Sequence, residues 1–169
     1  MSPYKRAIQT ATPLVQALGL EMILDDRVKE RDHGSFTGQP VRSEEEAKLA
    51  LENYDHKFGG GESIHDMMIR GEDFVKDMMN KYPGKTIAIV SHQRFGRALF
   101  EKLTGRNYVL DDRLRFANCS LHTLYLDHNT GKELNLHRPY IDRIYVPAEK
   151  HTAEKQDKKD TTKFIFVRH

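Results

Sequence analysis

Two short apolar segments that each end in histidine decide the fold: KTIAIVSH, residues 85–92, and KFIFVRH, residues 163–169. Both are rich in β-branched and aromatic side chains, a composition typical of strands. The first segment leads into a helical pattern from Arg94 to Leu103 that ends at Gly105, so it predicts a strand that feeds a helix. We expect the two segments to be neighbouring parallel strands of an open α/β sheet.

The histidines that end these two strands are His92 and His169. Ligands of open α/β sheets bind beyond the carboxyl ends of the strands, so adjacent parallel strands bring both imidazoles into one crevice. A single histidine after a strand is more often structural, and it is the pair that favours a functional site. Arg168 adds a guanidinium able to fork onto an oxyanion. His92 also stands at a helix start, where free amides and the helix dipole favour an anion.

The rest of the chain predicts further helices and strands. The longest helix should follow Ser63, which has capping-box spacing to Asp66, and its paired methionines are expected to be core residues. The other predicted helices are Tyr4–Leu18, which Pro13 should kink or divide, and Ser43 to about Tyr54. The other predicted strands are Glu21–Leu24, Ser120–Leu126 and Glu133–Leu136.

Composition indicates one globular domain. The chain has 169 residues, of which 38% are hydrophobic and 31% charged, enough for a packed core. A net charge of +2 gives no electrostatic reason to expect nucleic acid as a partner. The single cysteine, Cys119, fits a reducing compartment. No apolar run approaches the roughly 18 to 20 residues that span a bilayer, and the first residues lack a signal peptide's apolar stretch. We therefore expect a cytoplasmic protein with no membrane partner.

Residues Ala148–Thr162 form a segment of charged, histidine and small side chains without a large apolar residue. This composition predicts a solvated, flexible linker. The apolar segment 163–169 beyond it should be buried in a sheet, because an exposed apolar strand invites edge pairing and aggregation. The expected organisation is a domain body over residues 1–147, a linker over 148–162 and a final strand over 163–169 that belongs to the same domain.

Two further residues are candidates for the crevice: Arg6 in SPYKRAIQTA and Glu30 in KERDHGSFTG. Taken singly, Arg6 is more often a solvated surface charge and Glu30 an exposed loop acid. The tripeptide at residues 84–86 imitates the end of a P-loop, but Met79 stands where that loop needs a glycine, and the strand follows the tripeptide. The sequence has no HExxH, paired CxxC or EF-hand loop, so we expect neither a metal nor another cofactor.

Together, FVRH, SPYKRAIQTA, KERDHGSFTG, GGGESIHD and IAIVSH resemble the motifs of the histidine phosphatase superfamily, which includes cofactor-dependent phosphoglycerate mutases and fructose-2,6-bisphosphatase-like enzymes. The resemblance covers nearly all of residues 2–147 and the last segment. It implies an α/β fold with a three-layer, mostly parallel open sheet and helices on both faces. Gln93 stands where many relatives have glycine, which weakens a specific substrate assignment and leaves the class unchanged.

The resemblance also implies a role for each candidate residue. His169 is the expected nucleophile and forms a phosphohistidine, while Arg168, Arg6 and His92 hold the phosphoryl oxygens. Glu30 matches the family's acid, which protonates the leaving oxygen and then activates water. The implied activity is metal-independent hydrolysis of a small phosphorylated metabolite by a monomer or homodimer. Two alternatives stay open: a mutase that returns the phosphoryl group to a second hydroxyl, and a phosphate-ester binding module with little turnover.

The order of the motifs departs from that of the family. The strand that carries the Arg-His pair is the family's first element, whereas FVRH comes last here, so we expect a circularly permuted chain. The glycine-led phosphate loop, helix and strand that normally lie between this pair and the SPxxRA motif are missing from the sequence. Either the polypeptide continues beyond His169, which is the favoured reading, or the chain is a fragment or the junction of two tandem copies.

Overall fold

The computed structural model describes residues 1–39, 43, 45, 48–49, 52–107, 116–127, 131 and 161–169. The α-helices whose bounds lie in this part are α1 (Lys5–Leu18), α2 (Ile64–Lys81) and α3 (Gln93–Thr104), and the strands are β1 (Thr86–Ser91), β2 (Leu121–Asp127) and β3 (Thr161–Arg168). Short 3-10 helices lie at Asp26–Val28, Gly34–Phe36 and Phe58–Gly60. Most of the helix predicted from Ser43, the strand predicted at Glu133–Leu136 and nearly all of the predicted linker lie outside the described residues.

The three strands form one sheet in the order β1-β3-β2. Strand β3 pairs in parallel with β1, so that Ser91 stands opposite Arg168, and it pairs in antiparallel fashion with β2. The α/β class and the neighbouring parallel strands are as predicted. The described sheet is mixed, however, and not mostly parallel, because apolar alternation does not encode the direction in which two strands pair. The antiparallel pairing brings the start of β2 beside the end of β3.

Helices cover both faces of the paired strands. On β1, Ile89 belongs to a core cluster with residues of α2 and α3, whereas the next residue, Val90, packs with Ala7 and Ala11 of α1. Successive side chains of a strand point to opposite faces, so these two clusters lie on opposite sides of the sheet. The carboxyl ends of β1 and β3 therefore open between α1 and α3.

Strand β3 is buried mainly along one face. Phe164 and Phe166 are 2% and 0% exposed, whereas Ile165 and Val167 are only partly buried. The segment is thus part of the sheet, as expected, with one face buried and the other partly buried. The strand also begins at Thr161, inside the predicted linker, because Thr161 and Thr162 pair with the end of β2 and Thr162 is fully buried.

Helix α1 is continuous through Pro13, which was expected to kink or divide it. Proline removes one backbone donor, and packing of the helix against β1 offsets that loss. Gly19 ends the helix with a φ of 60°, as predicted. The segment 21–24, in contrast, forms no strand, and the hydrogen bonds around it join Ile23 and Asp25 to Met1.

The longest helix, α2, begins with the predicted capping box, in which Ser63 and Asp66 bond each other's backbone amides. Its paired methionines are buried core residues, as expected: Met67, Met68, Met78 and Met79. Helix α3 approaches β3 closely at Gly96, where a Cβ would lie 2.6 Å from the Phe166 ring. Within the described residues, no helix has the length and apolar character needed to cross a bilayer.

Candidate active site

The ends of β1 and β3 bring His92 and His169 side by side. The His169 amide donates a 3.0 Å hydrogen bond to the carbonyl oxygen of Ser91, which continues the parallel pairing past the end of β3. The two imidazole rings lie edge to face, with 6.5 Å between their centroids and an interplanar angle of 77°. The structure thus places both histidines at one end of the sheet, the arrangement that the sequence predicts.

His92 is 2% exposed and both of its ring nitrogens are in contact with α1 or the residues before it. Arg6 donates from Nε to His92 Nδ1 over 3.2 Å, and Ser2 Oγ lies 2.8 Å from His92 Nε2. Because an arginine can only donate, Nδ1 must be unprotonated, and the proton of the neutral ring is on Nε2, facing Ser2. The Tyr4 ring packs beside them, 4.9 Å from the Arg6 guanidinium carbon and 5.3 Å from the His92 ring.

Burial is the main cause that lowers the pKa of His92 to about 4, and the nearby charge of Arg6 is the next. Smaller contributions come from the charges of His169, Arg70 and Arg168. His92 is therefore neutral in the free protein near neutral pH, and the net positive charge of the site resides on the arginines.

His169 contacts helix α1 through its ring. Its Nδ1 lies 2.9 Å from Oγ1 of Thr10, one helical turn after Arg6. Arg6 and Thr10 share a face of α1 because residues at positions i and i+4 stack on a helix. The same face of one helix therefore contacts both histidines, His92 through Arg6 and His169 through Thr10.

Arg168 precedes His169, and its side chain extends toward the loop before β2. Its Nη1 donates to the carbonyl oxygen of Phe116, and its backbone pairs with Cys119 and Ser120. Since Arg168 is among the charges that lower the pKa of His92, it contributes positive potential to the crevice. The predicted role of Arg168 in holding phosphoryl oxygens stays a prediction.

The side chain of Glu30, a loop residue, contacts the start of helix α3. Its Oε1 accepts from the amides of Arg31 and Phe95, each at 3.0 Å, and its Oε2 accepts from the amide of Arg94 at 3.4 Å. The amides of Arg94 and Phe95 belong to the first turn of α3, where amides lack partners within the helix. The acidic side chain at this helix start is Glu30, and the N-cap residue of α3 is His92.

The loop that carries Glu30 is held by two arginines, Arg31, which is buried, and Arg70, which is partly buried. Arg70 of α2 donates to the carbonyl oxygens of Arg27 and Lys29, pairs with the Glu62 carboxylate and lies over the Phe95 ring at 4.5 Å. Arg31, 4% exposed, donates to the carbonyl oxygen of Glu62 at 2.8 Å. These bonds fix the backbone on either side of Glu30.

The glycine-rich segment GGGESIHD lies directly against the Glu30 loop. Gly34 has a φ of 54°, and a Cβ there would lie 2.2 Å from the carbonyl oxygen of Gly59. A side chain at Gly34 would force the two loops apart. The glycines therefore permit the close loop contact that supports Glu30.

Five site residues are predicted from the sequence. Four of them, Arg6, His92, His169 and Glu30, lie around the ends of β1 and β3, with Arg168 alongside. The sequence does not reveal that Ser2 and Thr10 contact the two histidines, or that Arg70 and Glu62 pair beside the Glu30 loop. Ser2 and Thr10 belong to the quoted segment SPYKRAIQTA, and the helical spacing of Thr10 from Arg6 is the signal that places it on the same face. Among the described residues, no group of three or more His, Cys, Asp or Glu is arranged to hold a metal ion.

The family model described as "Histidine phosphatase superfamily (branch 1)" matches residues 1–138. The chain is similar to phosphoserine phosphatase 1 of Hydrogenobacter thermophilus, with 28% identity over 88% of this chain and 74% of that protein. It is also similar to the probable phosphoglycerate mutase GpmB of an Enterobacter species, with 30% identity over 69% of this chain and 57% of that protein. A third relative, the uncharacterised phosphatase PhoE of Bacillus subtilis, is 32% identical over 62% of this chain and 51% of its own length.

Proposed function

The chain belongs to the histidine phosphatase superfamily, and from that premise we propose that it is a metal-independent phosphatase that hydrolyses small phosphate monoesters through a phosphohistidine. The observation that carries this proposal is the meeting of His169 with His92 and Arg6 at the ends of β1 and β3. A nucleophilic imidazole beside fixed cations is the arrangement that covalent phosphoryl transfer requires.

In the first step, the lone pair of His169 Nε2 attacks phosphorus and forms the N–P bond as the P–O bond of the ester breaks. The electron pair of that bond stays on the leaving oxygen, which takes a proton from the Glu30 carboxyl group. The products of this half-reaction are an alcohol and a phosphohistidine.

In the second step, water attacks the phosphorus of the phosphohistidine. Glu30, now a carboxylate, accepts a proton from that water, the N–P bond breaks, and its electron pair returns to His169 Nε2. Inorganic phosphate leaves, and both side chains regain their starting forms. The bonds from Arg31, Arg94 and Phe95 keep Glu30 in one place for both proton transfers.

The arginines supply most of the stabilisation in this proposal. Phosphoryl transfer leaves little covalent work for the protein, so fixed positive groups around the equatorial oxygens lower the barrier. Arg6 and Arg168 carry that charge. His92 is neutral in the free protein, and it joins them as a donor when a phosphoryl dianion takes the place of Arg6 Nε and favours protonation of Nδ1.

We further propose that β3 takes the place of the family's first strand, which makes the chain circularly permuted. Support comes from its parallel pairing with β1 and from its position after residue 138, where the family match ends. The wider three-layer, mostly parallel sheet that the resemblance implies is part of the same proposal.

The names of the relatives favour a small phosphorylated metabolite as the substrate. One is a phosphoserine phosphatase and another a probable phosphoglycerate mutase. A mutase is the second candidate, since it shares the phosphohistidine and differs only in the acceptor hydroxyl. Because the chain spans only 74% and 57% of these two proteins, their substrates are starting points for assay.

Phosphate release from phosphoserine, 3-phosphoglycerate and p-nitrophenyl phosphate, measured with and without a chelator, tests this function. The proposal predicts continuous release that the chelator leaves unchanged. Interconversion of phosphoglycerates that depends on a bisphosphorylated primer would favour the mutase. A single stoichiometric burst without further turnover would favour a binding module, and no release from any ester would contradict the enzyme assignment.

A further inference from the structure

Thr10 makes two hydrogen-bonding contacts with its single hydroxyl group. Its Oγ1 lies 3.0 Å from the carbonyl oxygen of Arg6, one turn earlier in α1, and 2.9 Å from Nδ1 of His169. The first contact is the back-bond that threonine commonly makes within a helix. The second joins positions that are 159 residues apart in the chain.

The donor in each contact follows from counting protons. A hydroxyl group has one hydrogen, and a carbonyl oxygen can only accept, so the hydrogen of Thr10 is directed to Arg6. The hydroxyl oxygen then has lone pairs left for His169, and Nδ1 must be the donor in that contact. In a neutral imidazole with its proton on Nδ1, the lone pair is on Nε2.

We propose that Thr10 is a positioning residue that holds His169 in the Nδ1–H tautomer and leaves Nε2 free for attack on phosphorus. This inference rests on the proposed function, because it concerns the nucleophile of that same reaction. The His169 amide is tied to Ser91, so the ring is held at two points, by its backbone and by Thr10.

The contact serves both halves of the reaction. When Nε2 bonds to phosphorus, the ring becomes cationic, and the Nδ1–H bond to Thr10 strengthens because its donor is charged. When water breaks the N–P bond, the electron pair returns to Nε2 while the proton on Nδ1 stays in place. Thr10 therefore maintains one tautomer through the whole cycle without exchanging a proton itself.

Helix α1 contains a matched control for this role. Thr12 makes the same kind of back-bond, from its Oγ1 to the carbonyl oxygen of Ile8 at 2.8 Å, and it is partly buried like Thr10. Thr10→Val and Thr12→Val make the same change in the same helix, but only the first removes a contact with His169. Thr10→Ser keeps the hydroxyl group, and Thr10→Ala is a second variant that removes it.

The direct measurement is the ring-nitrogen NMR spectrum of the protein labelled with ¹⁵N-histidine, recorded without substrate at about pH 8, where histidine is ordinarily neutral. The His169 signals are assigned from their loss in His169→Gln. We expect the Nδ1–H tautomer in the parent protein, Thr10→Ser and Thr12→Val, and a shift toward the Nε2–H tautomer in Thr10→Val and Thr10→Ala. The same tautomer in every variant would overturn the role of Thr10.

Kinetics give a second readout that a structural role alone would not move. Loss of one hydrogen bond that orients the nucleophile should lower kcat about five- to tenfold with KM little changed, and Thr10→Ser should restore it. Equal kcat values for Thr10→Val and Thr12→Val would contradict the proposal. A parent protein with the Nδ1–H tautomer but no hydrolysis of any ester would instead overturn the proposed function, because the tautomer is measured without turnover.

Discussion

Arg6 of helix α1 and His92 at the end of β1 are joined by a 3.2 Å hydrogen bond across 86 residues of chain. The bond runs from an obligatory donor to Nδ1, so it exists only while His92 is neutral. The pKa of about 4 at His92, lowered first by burial and then by the charge of Arg6, agrees with that protonation state. Arg6 thus helps to keep His92 neutral and adds its own positive charge to the site.

Replacing Arg6 with methionine should change both the chemistry and the titration of His92. We expect kcat for p-nitrophenyl phosphate to fall about a hundredfold or more, the usual cost of a lost transition-state donor. The pKa of His92, followed by NMR, should rise from about 4 but stay below the ordinary 6.5, because burial remains the larger cause. Lys5→Met, an exposed neighbour on α1, is the control and should match the parent in both respects.

Replacing Glu30 with glutamine should cost most for esters with poor leaving groups. The variant keeps an acceptor for the α3 amides but cannot donate the proton, and general acid catalysis contributes about 10²- to 10⁴-fold. Nitrophenolate leaves without that proton, whereas the alkoxide of phosphoserine needs it. The ratio of kcat/KM for the two substrates measures the effect. Equal losses on both would indicate that Glu30 only caps the helix.

Stability should fall in mild acid because His122, a partly buried histidine, resists protonation in the folded protein. Burial lowers the pKa of His122 from 6.5 to about 4, and its ring stacks on Phe116 at 3.6 Å. Between these two pH values the unfolded chain binds a proton on His122 that the folded protein does not, so the free energy of unfolding falls as pH drops from 6.5 to 4. We expect His122→Phe to reduce this fall by about 2 kcal/mol in urea titrations. If the free energy of unfolding of His122→Phe falls with pH as much as the parent's does, the lowered pKa of His122 is contradicted.

Strand β3 should be among the slowest segments to exchange its amide hydrogens. It is hydrogen-bonded to β1 on one side and β2 on the other, and Phe164 and Phe166 are buried. Segment 21–24, which forms no strand, provides the comparison within the same experiment. Exchange of Phe164–Val167 as fast as that segment would show that β3 is undocked in solution and that His169 is away from His92.

The sequence correctly predicts the elements whose signals lie in adjacent residues. The apolar runs ending at His92 and His169 and the capping box at Ser63 are visible in adjacent residues, and the structure has them where expected. The prediction of a strand at residues 21–24 is wrong, because a short apolar run forms a strand only when it pairs with another strand. The hydrogen bonds of Ile23 and Asp25 go to Met1 instead. Pro13 does not divide α1, because packing of the helix on β1 outweighs one lost hydrogen bond.

The sequence predicts which residues form the candidate site, but it does not predict the hydrogen bonds that these residues make. Histidines at strand ends and an arginine in the first helix can be read from the sequence, but the partners of those groups come from remote positions. Ser2 is 90 residues from His92, and Thr10 is 159 from His169. Glu30 was expected near the crevice as an acid, and its bonds to the first turn of α3 follow only from the tertiary fold.

The central claim is that His169 of β3 becomes the phosphohistidine, and trapping that species tests it most directly. The protein is mixed with p-nitrophenyl phosphate, quenched during turnover in alkaline denaturant, which preserves the acid-labile N–P bond, and mapped by peptide mass spectrometry. We predict a phosphoryl group on His169 in the parent protein, more of it in Glu30→Gln, and none in His169→Asn, which should also lose turnover. A phosphoryl group on another residue, or His169→Asn activity above about a tenth of the parent's, would contradict the claim.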